Sequence, residues 1–443
     1  MSEPPAAELK RSMTLVPTTA LVVGTIIGAS IFVQPSEITA LVPSIGGVAT
    51  IWLIAGLLTF FGALVCAELA SAFTRTGGVY VFLNETYSPV IGFLWGWAMF
   101  WSMHSGILAA VAVVFARYVA FFVPLGDIGI QVTAAGAILV LSGINYRGIE
   151  HGSRLQTAFT IGKVAAIGLM IAVGLALAPG DSAAAAPVAA PIVEASAVSW
   201  TTIVQALIAG LFAFGGWHMV TYAAGETIDP SRTIPRALLW GTVIVTICYI
   251  ALNAVYMYVL PLDVVISSTR VAADAADALV GGGARIMSGL VIFSTFGALN
   301  GIILAGPRVY YSMAQDGLLF RWAGRVHPTF RTPHRAIVLQ GVWASALVFT
   351  GTYSQLFSRV IYVEWIFFGL MAIGLFILRR RPGYAPAYRV GGYPVVAGLF
   401  TLAALVIAVN RFVTEPLEAV AGLGIVLLGV PVYYIWLARP KGA

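Results

Sequence analysis

The sequence has 443 residues, of which 60% are hydrophobic and only 9% are charged. Soluble domains carry roughly 25% charged residues, so this composition excludes a soluble protein and indicates one that crosses a membrane several times. The formal net charge is +6, but the basic residues stand singly between apolar runs, which argues against a nucleic-acid-binding face. Both cysteines, Cys66 and Cys248, fall inside apolar runs. Neither a disulfide framework nor a metal site is therefore predicted.

Apolar runs of about 20 residues, the length that crosses a bilayer as a helix, recur along the chain. The twelve predicted spans lie at approximately 13–40, 46–71, 80–114, 128–146, 153–178, 200–227, 236–260, 285–315, 335–350, 356–378, 393–410 and 417–437. No cleaved signal peptide is predicted after the polar tail at 1–12, because the apolar run that follows is longer than a signal peptide's core. A Pro/Ala-rich stretch at 179–199 is predicted to be a loop outside the membrane.

The lysines and arginines indicate the orientation of these spans. If successive spans alternate in direction, most of the 24 basic residues share the side of the N-terminus. Positively charged loops stay in the cytoplasm, so both termini are predicted to be cytoplasmic and the number of spans even.

The first span contains a stretch that interrupts its own helix, GTIIGASIF at 24–32. Glycine weakens a helix by roughly 1 kcal/mol relative to alanine. Backbone freed at this depth must be buried in protein or line a wet cavity, where its open N–H groups suit a carboxylate. By itself the stretch is equally typical of a close helix contact, in which Gly24 and Gly28 let a neighbour approach.

A second interruption decides between these readings. The sixth span contains LFAFGGWH at 211–218, and it enters the membrane from the side opposite to the first. Breaks at corresponding positions of two oppositely oriented halves are typical of a transporter with a central binding site. We therefore predict an all-α membrane protein with five-plus-five inverted repeats at 13–178 and 200–378, broken first and sixth helices, and two further helices within 379–443.

Seven segments make the sequence similar to the amino acid–polyamine–organocation superfamily, and within it to the L-type amino acid transporters and their bacterial relatives. They are GTIIGASIF at 24–32, GGVYVF at 77–82, FTIGK at 159–163, GLFAFGGWHMVTYAAGETIDPSRTIPRAL at 210–238, FGALNG at 296–301, PRVYYSMAQDG at 307–317 and RRRPGYAPAYRVGGYP at 379–394. The resemblance covers nearly the whole chain. It implies a twelve-helix carrier that moves an amino acid by alternating access.

The resemblance also implies where the substrate binds. Its carboxylate would meet backbone N–H groups in the first break, and its ammonium would meet carbonyl groups in the second. The substrate-binding residues implied in this way are Ile27, Gly28, Ala29, Ser30, Phe212, Ala213 and Gly215. Relatives commonly have glycine at the position of Ser30. Phe212 matches the aromatic residue that closes over the substrate, although a packing role for its ring is the alternative.

Lys163 is the most informative single residue. An ammonium in the middle of a span costs several kcal/mol unless it is paired or hydrated. The resemblance places it where sodium-coupled members bind sodium, within reach of the unwound backbone near Gly28, so sodium coupling is not expected. Two roles stay open, a brace for the first break in an exchanger, which we favour, and a proton carrier in a symporter.

Three further polar residues are secondary candidates. Glu364 lies within the tenth predicted span and either carries a proton or forms a structural pair with a neighbouring helix. His218 can titrate near neutral pH, but a packed ring is the preferred interpretation. Asn300 belongs to the matching segment at 296–301. The residue after that segment is Ile302, at a position from which the resemblance implies that some relatives supply a hydroxyl to the lysine.

We predict a sodium-independent exchanger of neutral L-amino acids, because the spans offer few ionised groups to a charged substrate side chain. Two alternatives stay open. One is a proton-coupled symporter of amino acids or of a fructoselysine-like conjugate, since HPTFRTPHRAIVLQG at 327–341 is similar to sugar–amino acid carriers. The other is a membrane receptor that senses solute. An enzyme is not predicted, since motifs of the HExxH, nucleophile-elbow and GxxxxGKS kinds are missing from the sequence.

The expected partners are an amino acid and the lipid bilayer, with no cofactor and no nucleic acid. Animal L-type transporters carry a cysteine in the loop between their third and fourth helices, through which they join an ancillary glycoprotein. The corresponding loop at 115–127 contains none. We therefore expect no disulfide-linked accessory subunit and a location in a prokaryotic inner membrane, which is that cell's plasma membrane.

Overall fold

The structure is a computed structural model that describes residues 9–177, 199–351 and 353–437. At residues 149, 353–361 and 436–437 the structure describes the backbone alone. The predicted loop at 179–199, apart from Ser199, and most of both predicted tails lie outside the described residues. Within those residues the chain is helical, and one isolated parallel bridge pairs Met13 with Thr227.

The first half of the chain forms eight α-helices. They are α1 (Leu15–Ile26), α2 (Gln34–Leu41), α3 (Ile45–Ala72), α4 (Val79–Thr86), α5 (Pro89–Ala98), α6 (His104–Val119), α7 (Asp127–Tyr146) and α8 (Ile149–Ala176). A 3-10 turn, Ser30–Phe32, lies between α1 and α2, and a π-helical turn, Met99–Met103, joins α5 to α6.

The second half forms eleven α-helices. They are α9 (Trp200–Ala213), α10 (Pro230–Val259), α11 (Leu262–Ser267), α12 (Val271–Leu279), α13 (Gly283–Ala305), α14 (Pro307–Gln315), α15 (His334–Leu347), α16 (Tyr353–Leu378), α17 (Val395–Thr414), α18 (Pro416–Leu427) and α19 (Gly429–Leu437). A 3-10 segment, Trp217–Glu226, follows α9, and a short 3-10 turn, Val348–Thr350, follows α15.

Nine helical segments among the described residues are long and apolar enough to cross a membrane. They are Ile45–Ala72, Pro89–Val119, Asp127–Tyr146, Glu150–Ala176, Trp200–Glu226, Pro230–Val259, Gly283–Gln315, Val395–Thr414 and Pro416–Ile435. The other three predicted spans, at 13–40, 335–350 and 356–378, correspond to shorter or divided helices. The first is split between α1 and α2, α15 has 14 residues, and only the part of α16 from Tyr362 has described side chains.

The sequence interpretation places one boundary wrongly and leaves out two helices. The third span was expected to begin at residue 80, but residues 79–86 form the separate helix α4, and the apolar helix begins at Pro89. Proline favours the first turn of a helix and disfavours helical backbone in the residue before it, so Ser88-Pro89 separates the two. The connection after α10 also contains two unpredicted helices, α11 and α12.

The two interrupted helices lie at the centre of the helix packing. Helix α1 packs against α8, α10 and α13, while α9 packs against α2 and α3. Gly24 permits the close approach of α1 to α8, because a Cβ atom there would lie 2.0 Å from the Gln156 side-chain nitrogen and 2.4 Å from the Thr160 hydroxyl. Gly24 therefore does serve as a helix-contact glycine, next to a backbone break.

Backbone and charge contacts join the beginning of α1 to the end of the second interrupted helix. The N–H groups of Ser12 and Met13 both donate to the Glu226 carbonyl, at 2.9 and 3.0 Å. The buried Glu226 carboxylate accepts from Arg308 on α14, at 2.5 Å from Nε and 3.0 Å from Nη2. Arg308 also donates to the carbonyl of Leu304. A charged, buried cluster thus fixes one end of both interrupted helices.

Candidate functional site

The first break leaves backbone N–H groups unpaired. Helix α1 ends at Ile26, and Ile27 has the non-helical dihedrals φ −71°, ψ 86°. Within the described residues no protein acceptor pairs with the N–H groups of Gly28, Ala29 or Ser30. These residues are buried, and orphaned buried N–H groups are rare in proteins. The break is therefore suited to an anionic group of a ligand.

The second break lies directly against the first. Helix α9 ends at Ala213, and Gly216 has a φ of +102°, which favours glycine. A Cβ atom at Gly216 would lie 3.0 Å from the Thr25 carbonyl oxygen. The Thr25 hydroxyl lies 3.2 Å from the Gly216 carbonyl and 2.7 Å from that of Leu21. The two breaks thus touch through backbone, and a side chain at Gly216 would separate them.

Tyr249 on α10 bridges the two breaks. Its hydroxyl lies 2.9 Å from the carbonyl oxygen of Ile26 and 3.1 Å from that of Ala213. The ring packs edge-on against Trp52 and at a tilt of 50° against Phe214, which belongs to the second break. A hydroxyl has a single proton to donate, so the two carbonyls share one donor.

Lys163 on α8 satisfies the carbonyls that the first break exposes. Its Nζ lies 3.1 Å from the Gly24 oxygen, 2.6 Å from the Ile27 oxygen and 3.1 Å from the Ser294 oxygen on α13. Lys163 is only 1% exposed. Three carbonyl acceptors match the three N–H donors of an ammonium, whereas a neutral amine has two donors and a lone pair. The contacts therefore favour a protonated Lys163 that holds α1, α8 and α13 together.

The expected carbonyls of the second break are partly occupied. The Phe212 carbonyl accepts from the Gly215 N–H at 3.0 Å, and that of Ala213 lies within reach of Tyr249. A carbonyl has two lone pairs, so each can accept a further hydrogen bond. The Phe212 ring is buried, with 6% exposed.

Asn300 lies in a buried amide network on α13. It accepts from the Asn145 amide at 2.8 Å and donates to the Gly152 carbonyl and the Gln156 side-chain oxygen, both at 3.1 Å. These contacts join α13 to α7 and α8. They give Asn300 a structural role in the described residues.

His218 and Glu364 lie next to each other. The His218 Nε2 is 3.5 Å from the Glu364 Oε1, and their side chains are 1% and 5% exposed. His218 belongs to the 3-10 segment that follows the second break, and Glu364 belongs to α16. The rings of Trp95 and Phe368 pack against the imidazole, with centroids at 5.9 and 4.8 Å. The structure thus joins two of the secondary candidates, which the sequence treats separately.

Comparison with known proteins identifies the family to which a chain with two interrupted helices of this kind belongs. A family model described as amino acid permease matches residues 13–435. The chain belongs to the amino acid permease family. This assignment confirms the expected membership of the amino acid–polyamine–organocation superfamily, and with it an amino acid transporter that crosses the membrane several times.

Several curated permeases are similar over nearly the full chain. The serine/threonine exchanger SteT of Bacillus subtilis (strain 168) is 32% identical over 96% of this chain and 97% of its own. The human cystine/glutamate transporter is 28% identical over 99% of this chain and 89% of its own. The large neutral amino acids transporter small subunit 2 of Oryctolagus cuniculus is 29% identical over 98% and 82%.

Sequence reasoning missed Tyr249 and Thr25 in this permease. Tyr249 stands in an apolar run of α10 and resembles a packing residue there, although its partners are carbonyls of both breaks. Thr25 is a common helix residue that bonds back to its own helix. The available signal for Thr25 was its place inside the predicted break at 24–32. Tyr249 could be found only from the packing of α10.

Proposed function

We propose that this amino acid permease exchanges neutral L-amino acids without sodium. Lys163 is the observation that carries the proposal. Its ammonium, held by the carbonyls of Gly24, Ile27 and Ser294, stands where the family resemblance places sodium in sodium-coupled members. Two cations a few ångströms apart in a buried site repel each other strongly. Lys163 therefore supplies the positive charge that a coupling ion would bring and remove.

The pairing of buried charges supports a neutral substrate. Glu68 is paired with Arg379, Glu226 with Arg308, and Glu364 with His218. Lys163 is bound by carbonyls, so no buried charge among the described residues is left for a charged substrate side chain, which would be desolvated without compensation. SteT, a serine/threonine exchanger by name, supports exchange of small neutral amino acids.

The substrate is proposed to lie between the two breaks. Its carboxylate accepts from the open N–H groups of Gly28, Ala29 and Ser30, and Ile27 precedes them as the residue whose carbonyl holds Lys163. Its ammonium donates to the carbonyls at residues 212, 213 and 215. The Phe212 ring covers the bound molecule.

The proposed architecture has twelve spans, with inverted repeats at 13–178 and 200–378, a loop at 179–199 and two further helices within 379–443. Both termini, including the tail at 1–12, lie in the cytoplasm of a prokaryotic cell, and the permease resides in the plasma membrane. The described cysteines, Cys66 and Cys248, lie in α3 and α10. We propose a carrier without a disulfide-linked subunit, so its electrophoretic mobility from the native membrane is expected to be the same with and without reductant.

Reconstitution tests the function. Purified protein in liposomes loaded with unlabelled serine, alanine or leucine is expected to take up the labelled amino acid rapidly, whereas empty liposomes take up little. Replacing external sodium by choline is expected to leave the rate unchanged. Arginine or glutamate outcompeting every neutral amino acid would contradict the substrate class. Binding without flux would establish a solute sensor instead of a carrier.

Proton-coupled symport is the second candidate, because Glu364 is a buried carboxylate with no arginine or lysine partner among the described residues. Strong uptake into empty liposomes under an inward proton gradient would favour symport over exchange.

The fructoselysine-like conjugate gains no support from the structure as a substrate. In the segment at 327–341, His327 accepts the N–H groups of Thr329 and Phe330, and the Thr332 hydroxyl donates to the Tyr146 carbonyl. These are contacts of a structured connection.

A further inference from the structure

We propose that His218 and Glu364 form a regulatory proton-binding site, and that exchange is fastest when this pair holds one proton. The inference rests on the proposed function, because it concerns the rate of the same transport cycle. It starts from an asymmetry among the buried carboxylates. Glu68 and Glu226 each bind an arginine at 2.5 Å, whereas the charged or titratable partner of Glu364 among the described residues is a histidine, at 3.5 Å.

The apolar surroundings favour the number of protons that leaves the pair without net charge. One proton, on either the imidazole or the carboxyl group, makes the pair neutral overall. Removing it leaves an anionic carboxylate beside a neutral imidazole, and adding a second leaves an imidazolium beside a neutral acid. Either net charge is unfavourable among the buried rings of Trp95, Trp217 and Phe368, which surround the imidazole.

Other titratable side chains near the pair do not change the number of protons that makes it neutral. They are His104 on α6, Tyr222 on the same 3-10 segment as His218, and Cys66 and Tyr310, which face Tyr222 from α3 and α14. The His104 Nε2 donates to the Ile302 carbonyl at 2.9 Å, and the Tyr222 hydroxyl contacts the Met99 sulfur at 3.4 Å. None of these groups is a carboxylate or a permanent cation.

The hydrogen bonding of His218 points to the same role. Neither of its ring nitrogens has a hydrogen-bond partner among the described residues, although the side chain is 1% exposed. Unsatisfied buried polar groups are rare in native proteins. With one proton between them, the Nε2 atom and the Glu364 carboxyl group would form a hydrogen bond if the two groups moved slightly closer together.

The position of the pair connects it to the transport cycle. His218 lies two residues after Gly216, where the second helix is interrupted, and Glu364 lies on a different helix, α16. A movement of the interrupted helix changes the distance between the two groups and their access to water. Only the neutral pair returns readily to the packed arrangement, so loss or gain of a proton slows the cycle without a proton crossing the membrane in each turnover.

The test is the pH profile of exchange in liposomes with equal pH on both sides. The wild-type profile is expected to be bell-shaped. In Glu364→Gln the alkaline limb is expected to disappear, because the amide cannot lose a proton. In His218→Gln the acid limb is expected to disappear instead. The matched control His104→Gln removes another buried histidine and is expected to keep both limbs. Identical profiles in all four proteins would overturn the proposal.

A measurement without transport separates this inference from the proposed function. Infrared difference spectra of the purified protein are expected to show a carboxylic acid C=O band that titrates with pH and is absent in Glu364→Gln. If labelled amino acid does not exchange at any pH, the proposed function fails, and the titrating band still decides the proton site. A wild-type spectrum without that band would overturn the site even if exchange is rapid. Glu364→Asp, which keeps the acid, is expected to restore the alkaline limb.

Discussion

At the scale of single residues, the site depends on side-chain donors that reach carbonyls of interrupted helices. Lys163 and Tyr249 do this from α8 and α10, at the carbonyls of Ile27 and Ile26. Hydrogen bonds from a charged donor contribute roughly 1.5–3 kcal/mol and those from a neutral donor about 1 kcal/mol. Removing the Lys163 side chain should therefore lower the substrate affinity more than removing the Tyr249 hydroxyl.

Lys163→Ala is expected to raise the KM for exchange by about tenfold or more. The change frees the carbonyls of Gly24 and Ile27 and leaves a void, so the loop that we propose to hold the substrate carboxylate loses its fixed geometry. A tenfold change corresponds to about 1.4 kcal/mol. Initial rates against amino acid concentration give the value, measured from each side of the membrane. Lys10→Ala, which removes an exposed lysine paired with Glu150, is the control. An unchanged KM in Lys163→Ala would remove its role as a brace.

Tyr249→Phe is expected to raise KM by about three- to tenfold, since one shared neutral hydrogen bond is worth about 0.5–1.5 kcal/mol. The ring remains to pack against Trp52 and Phe214, so the protein should stay folded. Tyr256→Phe is the matched control on the same helix, because its buried hydroxyl has no partner among the described residues. Equal kinetics in the two variants would show that the bridge between the breaks is dispensable.

At the scale of helices, the sequence reveals interruptions more readily than the contacts between them. Both breaks were predictable because glycines at mid-membrane depth are costly in an apolar helix. The start of the third membrane helix was misplaced, since the single charge near the end of α4, Glu85, does not by itself end an apolar run. The contact between Thr25 and Gly216 could not be predicted, because it depends on how α1 and α9 pack rather than on either helix alone.

Gly216→Ala is expected to abolish exchange or reduce it at least tenfold. The residue has a φ of +102°, and a Cβ atom would lie 3.0 Å from the Thr25 oxygen, so the two breaks must move apart. Gly136→Ala in α7 is the control, since no heavy atom lies within 4 Å of the added Cβ; alanine is favoured there by up to about 1 kcal/mol. Exchange assays and size-exclusion profiles measure both. Wild-type exchange by Gly216→Ala would show that the contact does not matter.

Glu226→Gln is expected to destabilise the protein by about 3–5 kcal/mol, because it leaves Arg308 buried without its anion. The loss would appear as a lower midpoint of thermal unfolding in detergent. Adding Arg308→Met to Glu226→Gln should recover part of it, since the unpaired charge is then removed. Glu150→Gln disrupts an exposed pair with Lys10 and should cost under about 1 kcal/mol. Equal shifts in the two single variants would argue against the ion pair at the helix ends.

At the scale of the whole molecule, the family and the number of expected spans follow from composition and segment order, while the packing does not. Hydropathy measures how apolar a segment is. It therefore predicts a membrane span equally for a long uninterrupted helix and for a helix of only 14 residues such as α15. The pairing of His218 with Glu364 likewise joins residues 146 positions apart. Such contacts depend on the arrangement of all the helices, which periodicity does not encode.

Cysteine labelling tests the orientation of the whole chain. In a Cys66→Ala, Cys248→Ala background, a cysteine at Thr269 is expected to react with a membrane-impermeant maleimide on intact cells. A cysteine at Arg321 is expected to stay unlabelled until the cells are opened, because positively charged connections remain in the cytoplasm. Both positions are exposed in the structure. The opposite labelling pattern would reverse the proposed topology.

The three carbonyls around Lys163 have a thermodynamic consequence for a cell. If the permease exchanges neutral amino acids as proposed, the positive charge stays in the protein, so swapping one zwitterion for another is electrically silent and the membrane voltage performs no work on it. At equilibrium the inside-to-outside ratio of one amino acid then equals that of its counter-substrate. The permease would redistribute amino acids among existing pools, and net accumulation of one would be limited by the abundance of another.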